Sequence, residues 1–509
     1  MTKFLDNSCY LILTTFMTIF LIILFLIFAF VCAKNIRCGI YTIIFSMPLY
    51  LLRFSVFGIP TTVLEIMIYI LFLAWILNAT KKNNFYLALA ESFNGFSRFR
   101  KNNPILLFGI ILLFLGLALS TLHSSDLRTS LGICKGWFVD SFLFFVVFRS
   151  VIKEEKQIKL SLASWVFSGV AVALISIFYL LSNNLSFDGR LSAFYLSPNY
   201  LAMYISPVFL IALFFLLNSL SFPRRRESTV TISDNLRIVL NIKKISNIQY
   251  QILSVVILTI ILIPLYFTYS YGAFLGIFAG VVWLLYKTYI CRFNNTNNNT
   301  FRKNKKPYLS FLRRRESIAT TNNKLCIGCK TKKQLNSKIQ PFLKILAFAT
   351  IIIFVSITAA KFSQIINSEN RSSFHSRLMI WNASLEMIKD NPIFGIGPGT
   401  FQSVYLSYAD KFDEPYLEWA VTQPHNTFLA FYLQTGLIGF IGFILILVWF
   451  FYRRRGGSRL APTVATVLII YILIHGLADT MYWKNDLSLM FWLVIGLACC
   501  DFNEDTGDN

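Results

Sequence analysis

Three side chains of this chain have the type and setting to act on a charged substrate. Arg190 lies in Gly189-Arg-Leu-Ser-Ala-Phe-Tyr-Leu-Ser-Pro-Asn199, Arg377 in Ser376-Arg-Leu-Met-Ile-Trp381, and His425 in Thr422-Gln-Pro-His-Asn-Thr427. Ser197-Pro198 reads as an N-cap followed by proline at the first helical position. Arg190 therefore sits beside a helix N-terminus, where backbone N–H groups favour anions. Arg377 falls in the first turn of an amphipathic helix, where the helix dipole disfavours a cation unless an anion is near. An imidazole titrating near neutrality is suited to take a proton from a hydroxyl. Each residue also has a plainer reading: an arginine on a lipid phosphate, an arginine in a surface ion pair, a structural histidine.

Other motifs carry less. Phe394-Gly-Ile-Gly-Pro-Gly-Thr-Phe401 lacks the lysine of a phosphate-cradling loop, and Pro398 removes a donor, so it reads as a tight turn. Cys326-Ile-Gly-Cys329 has half of a zinc-site spacing with no second pair nearby. The Ser221-Phe-Pro-Arg-Arg-Arg-Glu-Ser228 segment recurs as Ser310-Phe-Leu-Arg-Arg-Arg-Glu-Ser317. With the Asn/Lys-rich sequence around it, it reads as an insertion in a loop rather than as a lipid headgroup site.

The elements that must position these residues are membrane helices. Hydrophobic residues make up 56% of the chain and charged ones 14%, and charge is excluded from runs long enough to cross a bilayer. Such runs choose helices, because lipid leaves no other partner for the backbone. The spans are 9–32, 40–57, 61–77, 104–122, 132–148, 160–181, 199–219, 250–268, 272–289, 344–360, 427–451, 461–477 and 487–500, an all-α bundle of 12–13 helices. The pair at 40–57 and 61–77 reads equally as one helix plus a re-entrant piece. The first span is too long for a signal peptide and is expected to be retained.

A net charge of +23 raises nucleic acid as a partner, but the basic residues lie in loops between spans. No basic segment interleaves the aromatics that would stack bases, so the charge reads as the positive-inside pattern and nucleic acid is not implied. The basic loops at 78–103, 149–159, 220–249, 290–343 and 452–460 share one side by helix parity, which makes that side cytoplasmic. The connections 182–198, 361–426 and 478–486 fall on the other side. The domain plan is then 1–360 as N-terminal helices with basic insertions at 220–249 and 290–343. A catalytic loop follows at 361–426, then C-terminal helices at 427–500 and an acidic tail at 501–509.

Within 376–392, Leu378, Trp381, Leu385 and Ile388 mark the apolar face of a helix that ends before Pro392 and can lie on a membrane surface.

Taken together, Arg377 through Trp381, Asn391-Pro-Ile-Phe-Gly-Ile-Gly-Pro-Gly399, His425-Asn426 and Thr435-Gly-Leu-Ile-Gly439 resemble the O-antigen ligase and polymerase family of membrane glycosyltransferases. The segment Arg190…Ser197-Pro-Asn-Tyr-Leu-Ala202 is similar to that family's arginine-bearing segment. His475-Gly-Leu-Ala-Asp479…Lys484-Asn-Asp486 is similar to its last external turn. The resemblance covers roughly 130–500, the basic insertions excepted. It implies a GT-C-like helical fold in a bacterial inner membrane, with the active site facing the periplasm. It further implies a glycan donor on undecaprenyl diphosphate and an acceptor on lipid A core or another glycan.

By the same resemblance Arg190 and Arg377 bind the donor diphosphate and His425 is the base. Asn199, Trp381, Asn426, Asp479, Lys484 and Asp486 stand as supporting residues. Tyr271 departs from the pattern, standing where many relatives carry arginine. No pair of external aspartates has the spacing for a divalent metal, so no metal or other cofactor is implied. Direct displacement by a deprotonated hydroxyl implies inversion at the anomeric carbon. A transporter of lipid-linked sugar would instead place its charges within the helices, where Glu65, Lys135 and Asp140 are the main examples.

Overall fold

The computed structural model describes residues 2–56, 58–82, 99–221, 247–304, 373–408, 411, 420–453 and 460–500. The predicted span 344–360, both arginine-triplet segments, the Cys326/Cys329 pair and the acidic tail lie outside the described residues.

The chain forms a helical membrane bundle in which six of the described helices are long and apolar enough to cross a bilayer. Shorter apolar helices complete it. In chain order these are α1 (Thr2–Lys34), α2 (Ile36–Phe45), α3 (Val63–Lys82), α4 (Pro104–Leu122), α5 (Leu127–Ile133), α6 (Asp140–Val151) and α7 (Glu155–Leu181). There follow α8 (Pro198–Ser221), α9 (Asn247–Phe267), α10 (Tyr271–Asn304), α11 (Ser373–Asp390), α12 (Phe401–Ser407), α13 (Thr427–Tyr452), α14 (Leu460–His475) and α15 (Asn485–Cys499). A π-turn, Cys134–Val139, joins α5 to α6 in one span.

The predicted span 40–57 is not a single helix. After α2 comes a 3-10 turn at Met47–Leu51 with Pro48 near its start, then a hairpin pairing Arg53–Val56 with Ile59–Thr62. Pro48 cannot donate to a continuing helical ladder, and Gly58 takes a φ of 77° at the hairpin turn. The stretch 36–82 is thus one full helix, α3, preceded by a short helix, a 3-10 turn and a hairpin. The predicted span 272–289 begins as expected but its helix runs on to Asn304.

Helices α8 and α15 are almost wholly buried and form the centre of the bundle, whereas α1 leaves Phe16, Phe20, Leu26 and Phe30 exposed to lipid. The tightest pair is α4 against α13. A Cβ on Gly116 would come within 2.1 Å of the Gly439 backbone nitrogen, so only glycine permits this approach. Without a hydrophobic drive between helices in lipid, such close backbone packing is a main source of association.

Helix α13 is broken at Gly436, whose φ of 67° interrupts the ladder. The turn after α11 docks into the break: Ile396 N–H donates to Leu433 O at 2.7 Å and Leu437 N–H to Ile393 O at 2.9 Å. Gly399 N–H donates to the Gln434 side chain, and the Ser130 hydroxyl donates to Pro398 O at 2.7 Å. The glycine-rich segment is thus the expected tight turn, with positive φ at Gly395, Gly397 and Gly399. It seals the carbonyls that the kink exposes.

Candidate active site

The site is organised by the turn between α14 and α15. His475 ends α14, and its carbonyl accepts from Ala478 N–H at 2.9 Å and Asp479 N–H at 3.0 Å, folding the chain back. The start of α13 is tied to this turn. Thr427 N–H donates to Gly476 O at 2.7 Å, its hydroxyl donates to Asp479 O at 3.0 Å, and Met481 N–H donates back to that hydroxyl at 2.9 Å. Asn426 is the N-cap, its Oδ1 accepting the N–H groups of Phe428 and Leu429, and its Nδ2 donating to Leu477 O.

His425, immediately before the cap, takes a φ of 48°. A left-handed non-glycine costs about 1–3 kcal/mol and persists only where surrounding bonds enforce it. Here they aim the ring at Asp479: Nδ1 lies 3.1 Å from Asp479 Oδ1. Burial alone would raise the Asp479 carboxyl, but His425, then Arg377 and His475, hold it well below the ordinary carboxylate range. An ionised carboxylate only accepts, so His425 Nδ1 must carry the proton. No hydrogen bond to its Nε2 is found among the described residues, and in the neutral ring that nitrogen carries the lone pair.

Asp479 also reaches the arginines. Its Oδ2 accepts from Asn199 Nδ2 at 3.0 Å, and Asn199 Oδ1 accepts from Arg190 Nη2 at 2.6 Å. Arg190 Nε donates to Thr268 O at 2.8 Å, in the short break between α9 and α10, and Nη1 lies 3.5 Å from Asp188. Arg377 Nε donates to Ala478 O at 2.9 Å, one residue from Asp479. Burial lowers the Arg190 guanidinium from its ordinary value; Asp188 offsets this and Arg377 adds to it. Two guanidinium groups that repel one another at one place are relieved by an anion between them.

The three predicted external connections therefore meet. Arg190, Asn199, Arg377, His425, Asn426 and Asp479 form one hydrogen-bonded neighbourhood, and Trp381 joins it by donating to Pro424 O at 3.1 Å. Lys484 and Asp486 adjoin it without bonding to the histidine. The Lys484 ammonium rests on the Tyr200 ring, 2.9 Å from its centroid. Tyr271 begins α10 within electrostatic reach of Arg190.

Two expectations about α11 change. The helix begins at Ser373, so Arg377 is beyond its first turn and the conflict with the dipole lapses. Its buried face is Ile380, Ala383, Ser384 and Met387, while Leu378 and Leu385 of the predicted apolar face are exposed. Sequence reasoning also missed Thr427 and the Thr268 carbonyl. The first was legible as the residue after a cap asparagine, but a backbone carbonyl has no residue-type signal.

A second charged cluster lies near the hairpin. Lys135 Nζ is 2.6 Å from Glu65 Oε2 and donates to Pro60 O at 3.0 Å. Thr61 donates to the same carboxylate oxygen, Asn485 Nδ2 to the other at 2.8 Å, and Trp137 Nε1 to Asn485 Oδ1.

Fold and site together define a polytopic helical membrane protein with a polar centre of Arg, His and Asp at one end of its bundle. The Wzy_C family model, O-antigen ligase, matches residues 254–444. That stretch includes Arg377, His425 and the kinked start of α13, and supports a glycan-transferring function of ligase or polymerase type. Arg190 and Asp479 lie outside it and join the site through the fold. No curated protein matches the chain.

Proposed function

We propose that this protein transfers a glycan from undecaprenyl diphosphate to an acceptor hydroxyl at the periplasmic face of a bacterial inner membrane. The observation that carries the reading is the hydrogen-bonded run Arg190–Asn199–Asp479–His425, with Arg377 bonded beside Asp479. It gathers two diphosphate-matching groups and one base from connections far apart in sequence. The segment 361–426 serves as the catalytic loop, and the side on which helix parity puts the lysine- and arginine-rich loops sets the orientation.

In this mechanism the acceptor hydroxyl gives its proton to His425 Nε2 as its oxygen bonds to the donor's anomeric carbon. The bond from that carbon to the diphosphate oxygen breaks, and the electron pair leaves on the diphosphate. Arg190 and Arg377 compensate that charge with forked donors that keep their own charge at any working pH. Asp479 stabilises the imidazolium that forms. Attack opposite the departing diphosphate inverts the anomeric centre, and no step calls for a metal.

The ligase reading takes lipid A core or another terminal glycan as acceptor. The same site serves a polymerase if the acceptor is a second lipid-linked repeat. The test is incubation of purified protein in lipid nanodiscs with undecaprenyl-diphosphate glycan, with and without a core acceptor, followed by product sizing. One shifted band is expected from a ligase and a ladder from a polymerase. No product with either acceptor overturns the reading.

A further inference from the structure

The two arginines reach the site on separate arms of the fold, and the arms meet at one glycine. Arg190 rides on the break between α9 and α10. Its Nε donates to Thr268 O at 2.8 Å, and the N–H of the next residue, Leu191, donates to Phe267 O at 2.9 Å. Tyr269 within the break takes a φ of 48°, and Phe274 N–H closes the first turn of α10 on Ser270 O at 3.1 Å. The Arg190 segment and the start of α10 are thereby tied into one piece. Arg377 is held by the other arm, the turn after α14, through Ala478 O at 2.9 Å.

Gly272, the second residue of α10, lies against that turn. A Cβ there would stand 2.6 Å from His475 Cδ2, 3.0 Å from its Nε2 and 3.4 Å from Ala478 Cβ. Carbon atoms rest at about 3.5–4.0 Å, so a methyl on Gly272 requires the arms to part by about 1 Å. The His475 ring is poorly placed to yield. It is 0% exposed, and its Nδ1 lies 2.7 Å from the Tyr471 hydroxyl one turn back on α14. Its Nε2 makes no hydrogen bond among the described residues, so the ring meets α10 through its shape. The His475 carbonyl accepts the N–H groups of Ala478 and Asp479, which joins the ring to the turn that carries Arg377 and the partner of His425.

We propose that Gly272 and the His475 ring form a spacer that sets the separation of Arg190 from Arg377, and so fits the pair to a diphosphate in preference to a single phosphate. Both are positioning residues and act through the arginines. Each guanidinium fork matches the oxygens of one phosphate group, so two forks tell a diphosphate from a monophosphate only at a fixed separation. This rests on the glycan-transfer reading and adds to it the device that selects the head of the donor.

The test is equilibrium binding of undecaprenyl diphosphate and of undecaprenyl phosphate to the full chain in nanodiscs, with thermal unfolding recorded for each variant. Wild type is expected to prefer the diphosphate about tenfold, the worth of one further charge-assisted contact. Gly272→Ala is expected to cut the preference to about twofold, since a displacement of about 1 Å is costly where groups must be aligned. His475→Ala, which introduces no clash, narrows the preference as well by leaving α10 unsupported. In the double variant the new methyl takes up space left by the ring, and most of the preference returns. Gly280→Ala, two turns further along α10, meets the Leu210 side chain at 3.0 Å and keeps the wild-type preference.

A loss in Gly280→Ala equal to that in Gly272→Ala overturns the spacer, because general loosening of α10 would then suffice. So does an unchanged preference in His475→Ala, which carries the test alone if Gly272→Ala does not fold. A double variant no better than Gly272→Ala also overturns it. A wild type that transfers glycan but binds both lipids alike removes the spacer and leaves glycan transfer standing. A wild type that binds neither lipid and transfers nothing removes the transfer reading and the spacer with it.

Discussion

Two carboxylates at the same end of the bundle, Glu65 and Asp479, are buried beside cationic groups, and their surroundings differ in one respect. The Glu65 cluster is closed. Both oxygens are engaged by Lys135, Thr61 and Asn485, and Lys135 has a further bond to Pro60 O. The Asp479 cluster is open. Its carboxylate is equally engaged, by Thr480 N–H, Asn199 and His425, but the histidine turns a second ring nitrogen outward and Arg190 and Arg377 stand beside it. A saturated network braces α3, the π-turn and α15. A network that sets an imidazole between a buried carboxylate and two neighbouring guanidinium groups can act on something that arrives.

Breaking the open cluster should cost turnover. His425→Ala is expected to leave donor affinity near wild type and lower turnover by roughly 10²–10⁴, the usual span for a general base. Matched protein levels with unchanged turnover would remove His425 from the chemistry. Asp479→Asn is expected to lower turnover by roughly 10–10³, since an amide no longer enforces the Nδ1–H tautomer or offsets the imidazolium. Asp479 is held low, so it is ionised throughout the working range. Its contribution is present above its depressed value and lost only as pH falls through it. The deficit of the variant should therefore persist across pH 5 to 8, and a deficit confined to the alkaline side would speak against an ionised partner.

Arg190→Lys and Arg377→Lys sharpen the comparison by keeping charge and removing the fork. Each should weaken donor binding and turnover together, by about tenfold, because a point charge does not reproduce two parallel bonds to phosphate. Equilibrium donor binding beside single-turnover rates separates this from the histidine effect.

The smallest expected effect on chemistry comes from the closed cluster. Glu65→Gln should leave turnover per folded molecule within about twofold of wild type. It should lower unfolding stability in detergent by roughly 1–3 kcal/mol by leaving Lys135 without its carboxylate. Lys135→Met in the same chain should recover part of that loss, which a double-mutant cycle reads directly. A large fall in turnover for Glu65→Gln with normal folding would erase the distinction between the two clusters.

The sequence made the site legible where chemistry shows in residue type. Arg190, Arg377 and His425 are charged or titratable residues in the connections between spans, and the structure brings them together. The Ser197-Pro198 helix start and the glycine-rich turn were readable for a similar reason, since proline and glycine constrain the backbone locally. What pairs across long separations was not readable. Asp479 stood only as a supporting residue, because the bond to His425 depends on Thr427 stapling two helices. The hairpin at 53–62 was hidden by its apolar residues, which satisfy a hydropathy window as well as a helix does. The buried face of α11 was misassigned because two apolar stripes run along it, and only packing decides between them.

The central claim is that Asp479 acts through His425 as one unit. The measurement that tests it most directly is the single-turnover rate of His425→Ala, Asp479→Asn and the double variant, with donor saturating and acceptor fixed. Residues that act as a unit are strongly non-additive. The double variant is therefore predicted to be no slower than His425→Ala alone. If Asp479→Asn lowers the rate as much in the His425→Ala background as in wild type, the two act independently, and Asp479 does not serve the reaction through the histidine.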